Sequence, residues 1–282
     1  MKNLQPRTRR VGACLLALAT MLGLGSAAHA VIPTPTGFSL DISPSARVLG
    51  ALDMYRDGII TSQQYYSIKY DEACDNPHLR IRARNKPALM LGNFSDSAAP
   101  ITSFTLQINE GPYVFGTGDV VGDNFTDFIK NTMYTDAGVS ITGSVVSPDM
   151  KTLTVNFSGL DAGKKVVFHI DLDTTDPNAF MYPDYRMVLF GAPLPGESPT
   201  TPGTASATFV NAASPAPNDK TLSFNFDQMT ETPTWANENI RPYKIMDSME
   251  VIQMGIPEPG SASLALAGAA ALALRVRRRR AA

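Results

Sequence analysis

The chain has 282 residues, with 24 Lys and Arg against 26 Asp and Glu, and a formal charge of −2. The charges are unevenly spread: four cations lie in residues 1–30 and five in residues 256–282, so residues 31–255 hold 15 Lys and Arg against 25 Asp and Glu, a net −10. An acidic stretch of that size argues against nucleic acid or an anionic membrane as its partner, because both require clustered positive charge on the protein.

The N-terminus comes first in chain order and sets the compartment. Lys2, Arg7, Arg9 and Arg10 precede an apolar run from Leu15 to Leu24, and Ala28-His29-Ala30 places small residues at the two positions a signal peptidase inspects. Residues 1–30 are therefore read as a cleaved secretory signal, with Val31 as the new N-terminus. Gly12 and Ala13 follow Arg9-Arg10 where a twin-arginine signal would carry apolar residues, which favours the general secretory route. Cys14 precedes the apolar segment instead of following it, so lipidation is not expected. Cleavage leaves Cys74 as the only cysteine, which excludes an intramolecular disulfide. Asp71 and Glu72 beside it disfavour a thiolate, so Cys74 reads as a small buried hydrophobe.

Residues 31–255 form the second segment, long enough to bury about 70% of the surface exposed by the unfolded chain. Alternating or β-branched runs occur at 38–42, 79–83, 101–108, 139–146, 152–157, 165–172, 185–190, 206–210, 221–226 and 248–252. Turn formers such as Ser147-Pro148-Asp149, Asp161-Ala162-Gly163 and Pro217-Asn218-Asp219 separate them. A helical turn or two is expected at 53–66 and at 131–136, and the Pro-, Ser- and Thr-rich residues 191–205 are expected to form a long loop. The predicted fold class is all-β, an antiparallel β-sandwich of the jelly-roll or immunoglobulin-like kind.

Candidate chemistry in this segment is sparse. Only His78 and His169 offer imidazoles, and no GxSxG elbow, HExxH pair or CxxC spacing occurs, so the chain is read as non-enzymatic, with a secreted hydrolase as the least favoured alternative. Calcium is the one cofactor with an argument. Asp171 and Asp173 share a strand face and Asp176 follows in the turn, a set of hard oxygen ligands, and Asp119, Asp123 and Asp127 form a second acidic group. The segment DMYRDGIITSQQ, residues 53–64, has the Asp53, Asp57 and Gly58 of an EF-hand loop, but Tyr55 and Gln64 stand where two further ligands belong. It is not read as a calcium site. Exposed aromatic rings stack on sugars, and Trp235, in the proline-rich ETPTWANEN, is the first candidate for such a platform in a carbohydrate-binding module.

The chain closes on IPEPGSASLALAGAAALALRVRRRRAA, residues 256–282. Pro257 and Pro259 stop any helix from propagating back into the preceding segment. Ser261 to Leu274 would make about 21 Å of helix at 1.5 Å per residue, short of the ~20 residues that usually cross a bilayer core. Arg275, Arg277, Arg278, Arg279 and Arg280 would stay on the cytoplasmic side, leaving the acidic segment outside. Pro257-Glu258-Pro259, a short Ala/Leu-rich segment and a terminal arginine cluster together resemble the PEP-CTERM sorting signal of bacteria. The resemblance covers these last residues and none of the central domain. It implies transient membrane insertion, recognition by an exosortase (a membrane-embedded cysteine transpeptidase), removal of the tail, and a place at the cell surface or in an exopolysaccharide and biofilm matrix. The implied partners are signal peptidase, exosortase and extracellular polysaccharide, and the implied role is structural or adhesive.

Overall fold

Alternation writes the first strand. In GFSLDIS, β1 (Gly37–Ser43), Phe38, Leu40 and Ile42 are fully buried on one face, while Ser39 and Asp41 lie on the other. The computed structural model describes residues 36–75, 84–109, 111–116, 132–176, 183–210, 220–234, 240–247 and 249–253. After β1 come helices α1 (Ala46–Arg56) and α2 (Ser62–Asp75), then β2 (Ala88–Asn93), β3 (Ile101–Gln107) and β4 (Tyr113–Phe115). A 3-10 turn at Thr132–Tyr134 leads to β5 (Ser140–Val146), β6 (Thr152–Leu160), β7 (Lys165–His169) and β8 (Leu172–Thr174). Helix α3 (Tyr185–Phe190), β9 (Thr204–Phe209), β10 (Lys220–Asn225), β11 (Arg241–Met246) and β12 (Met249–Gln253) complete the order.

The fold is mostly β, in antiparallel sheets with few helices. One five-stranded sheet has the order β12-β11-β1-β2-β7, a second has β10-β9-β3-β6-β5, and β4 pairs with β8 alone. The two large sheets share one apolar core. Phe38, Leu91 and Phe168 enter it from the first sheet, and Phe104, Phe157 and Phe224 from the second. Edge-to-face rings cross between them, with centroids 6.3 Å apart for Phe38 and Phe104 and 6.2 Å apart for Phe104 and Phe168.

A second cluster lies on the other side of the first sheet. Met90 of β2 and Val167 of β7 point away from the shared core and meet Leu49, Leu52 and Tyr65 of the helix pair. The tyrosines Tyr55 and Tyr65 stack at 5.4 Å, and Lys165 of β7 reaches Asp53 of α1 at 2.5 Å. Strand β2, ALMLGN, is thus buried on both faces, which removes the alternation that would announce it in sequence.

Three expectations change. The helical turn or two expected at 53–66 is a pair of helices of 11 and 14 residues. The first starts earlier than expected because the Ser45 hydroxyl accepts from the Val48 N–H as its N-cap. The strand expected at 185–190 is helix α3. Asp184 caps its start, Gly191 ends it in the left-handed conformation at φ 61°, and all six residues between are buried, so the run shows no period in either direction. Strands β2, β4 and β11 are additional, and the run expected as one strand at 165–172 is divided into β7, in the first sheet, and β8, paired with β4. Pro242 disguised β11, but pairing with β12 begins only at Tyr243, so the missing N–H falls at the start of that ladder. The expected strand at 79–83, the signal at 1–30 and the tail at 256–282 lie outside the described residues. Among the described residues no helix is long and apolar enough to cross a membrane.

Candidate functional site

The helix pair covers β2 and β7 but leaves part of the outer face beside β1 and β11 open. There the floor is small and polar: Ser39 stands opposite Lys244 on β11 and opposite Gly92 on β2. A groove of about 520 Å³ opens above it. Arg56 at the end of α1 and the loop after β2, with Phe94, Ser95 and Asp96, line it together with Lys244 and Met246.

Each wall is held in place. Asp41, whose side chain is 1% exposed, receives Arg56 Nη1 at 2.6 Å and Nη2 at 2.9 Å, a bidentate pair with the guanidinium one-third exposed. Burial pushes the Asp41 carboxyl above the usual carboxylate range despite Arg56, which acts to lower it. For Arg56, burial works to lower the pKa, and the hydrogen bond and charge of Asp41 more than reverse that. Both pKa values are therefore raised, by burial on the more deeply desolvated carboxylate and by the carboxylate on the guanidinium; the bidentate geometry is that of an ion pair.

Phe94 is seated by a glycine. A Cβ on Gly37 would lie 2.4 Å from Phe94 Cε2 and 2.6 Å from the Ile245 carbonyl oxygen. The loop is then stapled back to β1: Gly37 N–H donates to Ser97 Oγ at 3.2 Å, Ser97 Oγ donates to the Gly37 carbonyl at 3.1 Å, and Phe94 N–H donates to the same carbonyl at 3.1 Å. The Lys244 ammonium sits over the Phe94 ring, 5.3 Å from its centroid.

The acidic residues singled out in the sequence are placed otherwise. Asp171 and Asp173 do share one side, against Gly116, where a Cβ would lie 2.8 Å from Asp173 Oδ2 and 3.0 Å from Asp171 Cγ. Asp171 is buried, pairs with Lys86 Nζ at 3.2 Å and accepts from Asn85 Nδ2 at 3.4 Å, so a lysine already supplies positive charge there. Asp176 follows in the turn, where its N–H donates to Thr174 Oγ1 at 3.2 Å. Among the described residues no three His, Cys, Asp or Glu are grouped to hold a metal ion. Asp119, Asp123, Asp127, His78, Trp235 and the sorting motif lie outside the described residues; Cys74 lies within α2.

The segment resembling an EF-hand loop is a helix–helix connection. Asp53 and Asp57 face Lys165 at 2.5 and 3.9 Å. Thr61 and Gln64 form a capping box at the start of α2, with Gln64 N–H donating to Thr61 Oγ1 at 3.3 Å and Thr61 N–H donating to Gln64 Oε1 at 2.8 Å. His169 is also structural in its contacts. Its Nδ1 lies 3.1 Å from the Lys86 carbonyl, and burial lowers its pKa, favouring the neutral ring with Nδ1–H as donor.

Sequence reasoning missed the groove because its residues, from Ser39 to Met246, are far apart in the chain and joined only by strand register. The one local signal was the unfilled alternation of β1, where Gly37, Ser39 and Asp41 leave an outer face without bulk. Comparison with protein-family models, curated proteins and solved structures finds no match to this chain.

Proposed function

We propose that the chain is an exported, non-enzymatic surface or matrix protein, processed by signal peptidase and an exosortase and serving a structural or adhesive role among extracellular polysaccharides. The observation that carries the reading is the C-terminal order of Pro257-Glu258-Pro259, short apolar segment and arginine cluster, which has the form of an address label and not of an anchor. The all-β architecture supports it, and we assign the two packed sheets to a sandwich of the jelly-roll or immunoglobulin-like kind. Acidic charge in residues 31–255 fits a domain kept away from the anionic membrane it leaves.

A carbohydrate-binding module is the second reading, favoured by the polar groove over β1 and β11. A calcium-dependent role has less support, given the lysine at Asp171. Intact-mass measurement of surface material tests the sorting assignment. The expected chain begins near Val31 and lacks Arg275 to Arg280; recovery of the full arginine tail from the envelope would reverse it.

A further inference from the structure

We propose that the groove beside Ser39 and Lys244 binds a neutral saccharide segment, presented to the protein by its hydroxyl groups. This rests on the matrix-protein reading and gives that reading a place and a ligand class. The volume, about 520 Å³, falls within the ~300–1,000 Å³ of small-ligand sites.

The polar groups identify the ligand chemistry. A sugar hydroxyl both donates and accepts, and the groove offers partners for both roles: the Asp96 carboxylate accepts, the Lys244 ammonium donates, and the Ser39 and Ser95 hydroxyls do either. A site built for an isolated anion would converge donors alone. Here Asp96 stands in the wall and the charge on Arg56 is already matched by Asp41. The net −10 of residues 31–255 further disfavours an acidic polymer. Met246, beside the Phe94–Lys244 pair, supplies apolar surface for the C–H face of a pyranose ring.

Preorganisation completes the case. Arg56 is fixed by two hydrogen bonds to Asp41, and the Phe94–Asp96 loop by the Ser97 staple to Gly37. Lys244 rests on Phe94. Binding therefore orders few side chains, which keeps the entropic cost of association low.

Affinity electrophoresis of the full-length protein, through gels holding neutral glucan, neutral mannan or a polyuronate, tests the site. The expected result is retardation by at least one neutral polysaccharide. Asp96→Ala and Lys244→Met should each weaken it at least tenfold without shifting the thermal melt. Glu197→Gln, exposed in the loop after α3, should leave it unchanged. Retardation by polyuronate alone overturns the ligand class, and wild-type behaviour of both groove variants overturns the site. Absence of retardation in every gel overturns the proposal but leaves the sorting reading standing, since that is decided by mass; an unprocessed tail has the converse effect.

Discussion

The pair Asp41–Arg56 shows how a single buried carboxylate can connect packing to pH. Asp41 lies on the outer side of β1, faced by Arg56 and, with opposing sign, by Asp53 of the same helix. Burial holds its folded pKa above the ordinary value of 3.8, so its contribution to stability is fully present below the unfolded pKa and is lost as pH rises through the folded one. Arg56 limits that loss. Removing the guanidinium in Arg56→Met leaves a carboxylate with 1% side-chain exposure and no cation on it, and the expected cost is about 3 kcal/mol at pH 7. The folded pKa rises further, so the penalty should shrink toward pH 4 as the carboxyl takes up its proton. Denaturant midpoints at the two pH values measure this, with Asp41→Asn/Arg56→Met as the variant that should recover stability at pH 7. Equal losses at both pH values would mean that Arg56 acts through its aliphatic packing alone.

Helix α3 concentrates the same physics in six residues. Arg186 is fully buried; its Nε and Nη2 donate to Asp184 at 2.9 and 2.7 Å, and Nη1 donates to the Thr234 carbonyl at 2.9 Å. Asp184 also caps the helix by accepting from the Arg186 N–H at 2.9 Å. Asp184→Ala removes cap and counter-charge together, and about 4 kcal/mol or more of stability should go with them. Asp184→Asn keeps an acceptor for the cap and loses less; a midpoint for Asp184→Asn as low as that of the alanine variant would show that charge, not capping, is the whole effect. The sequence of α3 holds both its boundary signals, Asp184 and Gly191, yet YRMVLF alone reads as a strand because nothing in it faces water. Where one face is solvated the strands are legible, as in TLTVNF of β6, whose burial alternates along the strand. Where both faces are covered, as in β2, they are not. The groove was less legible still. Lys244 and Phe94 meet only because β11 pairs with β1 in a register that sets Lys244 opposite Ser39, and because Gly37 leaves room for a ring.

At the scale of the whole described domain, two apolar clusters share two strands. Leu89 and Leu91 of β2, with Val166 and Phe168 of β7, face the core between the sheets, while Met90 and Val167 face the helix pair. The helices are therefore not an appendage: if α1 leaves, the backs of β2 and β7 lose their cover, and these are strands that wall the shared core. Cooperative unfolding follows from that geometry, since each cluster holds in place the strands on which the other packs. Leu52→Ala in α1, where Leu52 is 1% exposed, should cost about 2–5 kcal/mol through lost burial and the cavity left behind. That loss should appear as a lower midpoint of one transition. Far-UV circular dichroism, which follows the helices, and hydrogen exchange at β7, which follows the sheet, should move together. A helical signal that melts at lower denaturant while the β7 amides stay protected would show the helix layer to be an independent unit. The groove, walled by Arg56 on one side and by the sheet on the other, would then open with the helices before the sheets unfold.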